Sequence, residues 1–339
     1  MAPGIGSLLV GDVFPRVLTI AVAIAGGVTF ANLLVAFGVI DYIATLSRPL
    51  TGPANLPDEV GGAIITTAAS TTAGYGMLAE YRDSGLLDDR ATLVAVTINT
   101  FFGFVQHIFT FYAPVLIPIL GLRVGLLYVG ARAGVALAIT LTGVALGALL
   151  LSAKNVDPEA MAGSESEGDA SPDARADGGD DPDDGPPETM QEKLLDAGRS
   201  GVEKTWDILP RLVVVYTLVV LLTTYYDLEA LTGGAADPLA TLTGLPAAAV
   251  PVIVVYAFDT TSGAVTIAPL VEDGIFTART AVATMLLGGI VSFTVSTFKR
   301  SIPFQFGIWG TEFGTKVVVV NTTLKVVWIA VALALLLAV

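Results

Sequence analysis

Asp259 is a carboxylate in an otherwise apolar stretch, and Thr260, Thr261, Ser262, Gly263 and Thr266 follow it. Inside a bilayer such a charge costs about 2.5–3.5 kcal/mol on insertion scales, so it faces a partner or water. Asp259 could bind a cation, accept hydrogen bonds from a polar solute, or shuttle a proton. An ion pair with Lys299, Arg300 or Lys325 is the structural alternative. A second small-polar cluster, Thr66, Thr67, Ser70, Thr71, Thr72 and Gly74, stands 189 positions earlier. Hydroxyls beside glycine offer donors, acceptors and exposed backbone where a helix loosens, and transporters build midplane sites from such interrupted helices. Small residues also let helices pack closely, which is the plainer role.

Two further groups accompany these clusters. Pro114 and Pro303 each follow a long apolar run, and a proline lacks a donor and pushes the preceding residue out of helical geometry. Each is expected to end or kink its helix and act as a gating break. Asn99 and Gln106 could reach the same space. The substrate-binding set is therefore Ser70, Thr71, Thr72, Gly74, Asn99, Gln106, Asp259, Thr260, Thr261, Ser262 and Gly263. Lys299 and Arg300 could attract an anion or anchor at the interface. His107, the single histidine, reads as a hydrogen-bonded interfacial group.

Enzymatic chemistry finds no support. The chain has no cysteine and one histidine, which excludes thiolate sites and histidine-rich metal sites. No phosphate-binding loop and no nucleophile–histidine–acid set is present, so neither an enzyme nor a cofactor is expected.

The elements that must position these residues are repeated. Residues 70–134 align with 259–323 without a gap: Gly85 meets Gly274, Arg90 meets Arg279, Pro114 meets Pro303 and Gly121 meets Gly310. Asp12, Pro15 and Arg16 recur as Asp207, Pro210 and Arg211. Glycine, proline and arginine fix backbone geometry and charge placement, so their recurrence points to two structural repeats enclosing something between them.

Composition sets the environment. Of 339 residues 53% are apolar and 14% charged, against about 25% charged in globular proteins. Mean hydropathy is +0.74. Runs such as Val17–Gly38 and Ala133–Ala153 lack ionisable side chains and match the roughly 20 residues a spanning helix needs. The fold expected is all-α, a polytopic transmembrane bundle built from two sequence repeats, with about eight spans and short re-entrant pieces near Tyr112–Gly121 and Ile302–Gly310.

The net charge of −14 is concentrated: Lys154–Glu188 holds twelve Asp/Glu against two Lys/Arg, leaving about −4 elsewhere. That tract has no aromatic residue and reads as a disordered linker. The expected organisation is a first repeat over 1–153, the acidic linker 154–188, an amphipathic interfacial helix 189–206 and a second repeat over 207–339. Four crossings per half would make the repeats parallel, whereas an odd number would invert them. The parallel reading puts both termini, the linker, the Arg82–Arg90 loop and the Arg279 loop on one face. Its excess of Lys and Arg marks that face as cytoplasmic.

The segments Ser70–Glu80, Asn99–Gly103 and Tyr112–Gly125 resemble the Gate, or nucleoside-recognition, type of membrane domain found in uncharacterised archaeal membrane proteins. The resemblance covers both repeats but not the linker, and implies a transporter-like or gating role. The function expected is a cell-membrane permease for a small polar or ionic solute, which could be nucleoside-like, with a coupling cation as a further partner. A non-transporting scaffold or assembly factor is the alternative. The lipid bilayer is the surrounding partner, no nucleic acid is implied, and a homo-oligomer is compatible with the sequence.

Overall fold

The computed structural model describes residues 4–39, 48–157, 190–225, 241, 243–297 and 301–338. Most of the acidic linker, together with Phe298, Lys299 and Arg300, lies outside the described residues. Among those described the chain is all-helical, with one isolated bridge between Leu87 and Val156 and no strand. Helix α1 spans Phe14–Ala36, after a helical turn at Ile5–Leu8 and a π-helical turn at Leu9–Val13. Then come α2 (Asp58–Ala69), α3 (Thr71–Asp83), α4 (Asp89–Ile98), α5 (Thr100–His107) and α6 (Leu122–Leu150). The second half holds α7 (Met190–Tyr225), α8 (Ala249–Phe258), α9 (Thr260–Glu272), α10 (Ala278–Ser296) and α11 (Ile302–Ala338). The amphipathic stretch 189–206 and the apolar run after it thus form one helix through Pro210.

Among the described residues, four helical stretches are long and apolar enough to cross a membrane: Ile5–Val35, Asp89–Leu120, Leu122–Leu150 and Ile302–Ala338. Val22, Leu126, Leu149, Val319 and Leu335 are exposed on them, as lipid-facing side chains would be. The two stretches that carry the small-polar clusters are different objects. Each is a pair of short helices broken at one extended residue, Ser70 (φ −140°, ψ 111°) or Asp259 (φ −154°, ψ 125°). Helices of 10 to 13 residues rise about 15–20 Å, short of a hydrocarbon core about 30 Å thick. Within each pair the helices fold back on one another. A Cβ on Gly74 would meet Ala63 O at 2.7 Å, and one on Gly263 would meet Tyr256 Cα at 2.7 Å.

Neither proline ends its helix. Pro114 is absorbed in a π-helical stretch, Ile108–Leu116, whose wider turn accommodates the missing donor, and Pro303 lies in the first turn of α11. The chain reverses instead at Gly121 (φ 77°) and Gly310 (φ 70°), backbone that only glycine adopts freely. After each reversal a glycine lets the helices touch: a Cβ on Gly125 would lie 2.8 Å from Ile117 Cα, and one on Gly314 3.0 Å from Gln305 O.

The matched loops lie at opposite ends of the bundle. The loop before α4 sits at the C-terminal end of α6, where Asp88 N donates to Asn155 O and Asp157 N to Leu86 O. The loop before α10 sits at the other end, with Thr277 and Arg279 beside Arg123. Helix α6 is about 44 Å long, so the two loops cannot share a face. Helices α1 and α7 are likewise antiparallel. A Cβ on Gly201 would stand 2.6 Å from Ala25 O, while Tyr216 and Thr224 lie near Pro15 and Thr19. The start of α1 and the start of the linker therefore leave at opposite ends. This overturns the arrangement with both termini, both loops and the linker on one side.

Two apolar cores result, and each mixes the halves. One joins α1, residues 112–139, α7 and the α8–α10 region; the other joins residues 54–102 to Trp309, Phe313 and Val317. Tyr75 meets Phe304 and Trp309 edge-on at 5.8 and 6.2 Å.

Candidate functional site

A cavity of about 240 Å³ opens beside the first helix break, walled by α3, α5, α6 and α11. Its position follows from local chemistry. The Ser70 hydroxyl accepts from Ala73 N at 3.3 Å and so caps α3, with Thr71 as its first residue, on the cavity wall. The seam between α4 and α5 is held open by Thr140, whose hydroxyl donates to Ile98 O at 2.7 Å and accepts from Phe101 N at 3.1 Å. Asn99 stands at that seam, fully buried, and its Nδ2 donates to Thr67 Oγ1 at 2.8 Å. Its Oδ1 has no partner, and Asn321 Oδ1 across the cavity has none either. A buried unsatisfied acceptor costs about 1–3 kcal/mol and usually signals a ligand or water. Thr71 donates to Gln106 Oε1 at 2.6 Å, and Tyr75 bonds Asn321.

The second break is closed where the first is open. The 189-residue offset places Tyr256 on Thr67 and Gly288 on Asn99. The Tyr256 ring fills the space over Gly263 and Gly288, its hydroxyl pairs with that of Tyr128, and it also reaches Thr260. The two breaks match in backbone and differ in what occupies the crevice beside them.

The sequence-derived set therefore divides. Thr71 and Asn99 line the cavity, Gln106 orients Thr71, and Ser70 caps α3. Thr72 is exposed, and Gly74 and Gly263 provide close helix approach. Ser262 O accepts from Thr266, and Thr261 is buried in packing. Asp259 does not line the cavity; its Oδ2 accepts from Ser262 N at 2.7 Å and caps α9. Asparagine caps as well as aspartate, whereas alanine does not. Asp259→Asn is thus expected to keep the wild-type unfolding midpoint in detergent and Asp259→Ala to lose about 1 kcal/mol. Equal losses in both would show that the charge, not the cap, is what the fold uses.

Residues outside the expected substrate-binding set complete the wall, among them His107, expected at the interface. Arg132 on α6 and Lys325 on α11 both face the cavity, joined by Tyr112 and His107. Arg132 stands ten residues into α6, which begins at Leu122, and so lies within the bundle. A signal existed: the repeat offset pairs Arg132 with Asn321, polar on polar inside apolar helices. The guanidinium faces the hydroxyls of Tyr112, Tyr128 and Tyr256.

No family model matches the chain. Two relatives, both uncharacterized proteins of Methanocaldococcus jannaschii, span nearly its full length. One is 22% identical over 335 residues, covering 96% of this chain and 98% of its own. The other is 23% identical over 314 residues, covering 91% and 89%. No solved structure matches. The site is accordingly read from its own residues.

Proposed function

We propose that the protein is a permease-like membrane protein that passes a small polar or ionic solute through a site between two inverted repeats. Each half then contributes three crossings and one re-entrant helical pair, an odd number, and this accounts for the antiparallel α1 and α7. The resemblance to Gate-type membrane domains is in keeping with this reading. Lys and Arg are denser on the face holding Arg82, Arg90, Lys154 and Lys316 than on that holding Arg16, Arg123 and Arg279. The first face, with the linker, is taken as cytoplasmic.

One observation carries the reading. Two helices are interrupted at matched positions, and beside one of them a largely apolar cavity that carries Thr71, Asn99, Arg132, Asn321 and Lys325 is walled by both halves. A protein built only to hold partners together gains nothing from buried acceptors left unsatisfied. In this cysteine-free chain, Thr71→Cys is expected to react with a small hydrophilic methanethiosulfonate reagent in membrane vesicles. A thiol inert from both faces would mean a dry, packed wall and would favour the scaffold alternative.

A further inference from the structure

We propose that the solute held in this cavity is a small oxyanion bearing a hydroxyl, such as hydrogen phosphate or a short hydroxycarboxylate, bound between Arg132 and Lys325. This rests on the permease reading and adds the sign of the charge.

Arg132 and Lys325 come from different halves and line one cavity, where each opposes the charge of the other. No ion pair to either is present among the described residues, and no described carboxylate lines the wall. Two half-buried cations sharing one cavity repel each other unless a counter-charge is supplied. Tyrosine hydroxyls ease this for Arg132 but carry no charge. An anion between the two side chains relieves both.

The remaining polar groups narrow the class. Asn99 Oδ1, on a fully buried residue, and Asn321 Oδ1 are acceptors without donors. A fully deprotonated anion cannot satisfy them, whereas an oxyanion that also carries an O–H can. Thr71, the first residue of α3, brings the positive end of a helix dipole to the same wall. A volume of about 240 Å³ corresponds to roughly eight waters at about 30 Å³ each, room for a small acid with some hydration.

The test is calorimetric titration of the purified full-length protein in detergent micelles, at fixed ionic strength, with sodium phosphate, lactate, sulfate, propionate and uridine. Phosphate or lactate is expected to bind saturably, at least tenfold tighter than its hydroxyl-free counterpart, sulfate or propionate, with no uridine binding. Lys325→Met and Arg132→Gln should each weaken binding at least tenfold. Asn99→Asp keeps side-chain size, supplies an internal counter-charge and removes the donor to Thr67, and should abolish anion binding in protein that remains folded and monodisperse. Absence of oxyanion binding to monodisperse wild-type protein, or unchanged affinity in both Lys325→Met and Asn99→Asp, overturns the inference. If the Thr71 thiol reacts and no oxyanion binds, the charge assignment falls and the permease stands. If phosphate binds but proteoliposomes show no exchange of labelled phosphate, the anion site stands and the permease falls.

Discussion

Placed singly in this cysteine-free chain, Ser84→Cys and Asp273→Cys will react with a membrane-impermeant maleimide from opposite faces of intact vesicles. Both positions lie in the matched loops that follow the re-entrant pairs, so repeats related by an axis along the membrane normal would expose them together. Contacts with α6 separate them. One loop is hydrogen-bonded to Asn155 and Asp157 beyond the end of α6, and the other packs beside Arg123 at its start. The ion pairs repeat the division: Asp89 bonds Lys316 at 2.7 Å at one end, and Glu272 pairs with Arg16 at the other. The effect is close to all-or-none, because a maleimide that cannot cross the bilayer does not label the far loop. Labelling of both positions from the same side would refute the inverted arrangement outright.

Tyr256→Ala is expected to destabilise the protein by about 3–5 kcal/mol, the range for removing a large buried aromatic side chain. Tyr256 is 3% exposed and fills the crevice over Gly263 and Gly288, the counterpart of the gap left open at Asn99. Neither glycine can replace the lost volume. Tyr256→Phe keeps the ring and removes only the hydroxyl contacts with Tyr128 and Thr260, a loss nearer 0.6 kcal/mol by the average for hydrogen bonds inside membranes. Reversible unfolding in mixed micelles measures both. If the alanine variant unfolds within about 1 kcal/mol of wild type, the second crevice is not held shut by this ring.

Much of the scaffold could be read without coordinates, for identifiable reasons. Apolar runs without ionisable groups announce membrane helices, since the bilayer tolerates little else. The clusters Thr66–Gly74 and Asp259–Thr266 were legible as loosened helix because hydroxyls beside glycine compete for backbone hydrogen bonds, whereas the capping roles of Ser70 and Asp259 emerged from the fold. Gly121 and Gly310 stood in the same alignment, yet the prolines drew the expected breaks. A π-helical turn around Pro114 and a first-turn position for Pro303 relieve the strain that proline imposes mid-helix.

What the residues alone determined was an all-helical chain with helices apolar enough to cross a membrane and two similar Ser/Thr/Gly clusters 189 positions apart. Only tertiary packing put the loops after the two broken pairs at opposite ends of α6, because a break between two short helices looks in one dimension like a single span. Packing also decided that the cavity's charged residues are Arg132 and Lys325 rather than Asp259. Their positions, on helices of different halves, converge only once α6 and α11 lie against each other. Asp259, conspicuous as a lone acid, turned inward to cap its own helix, a choice set by one backbone amide at 2.7 Å.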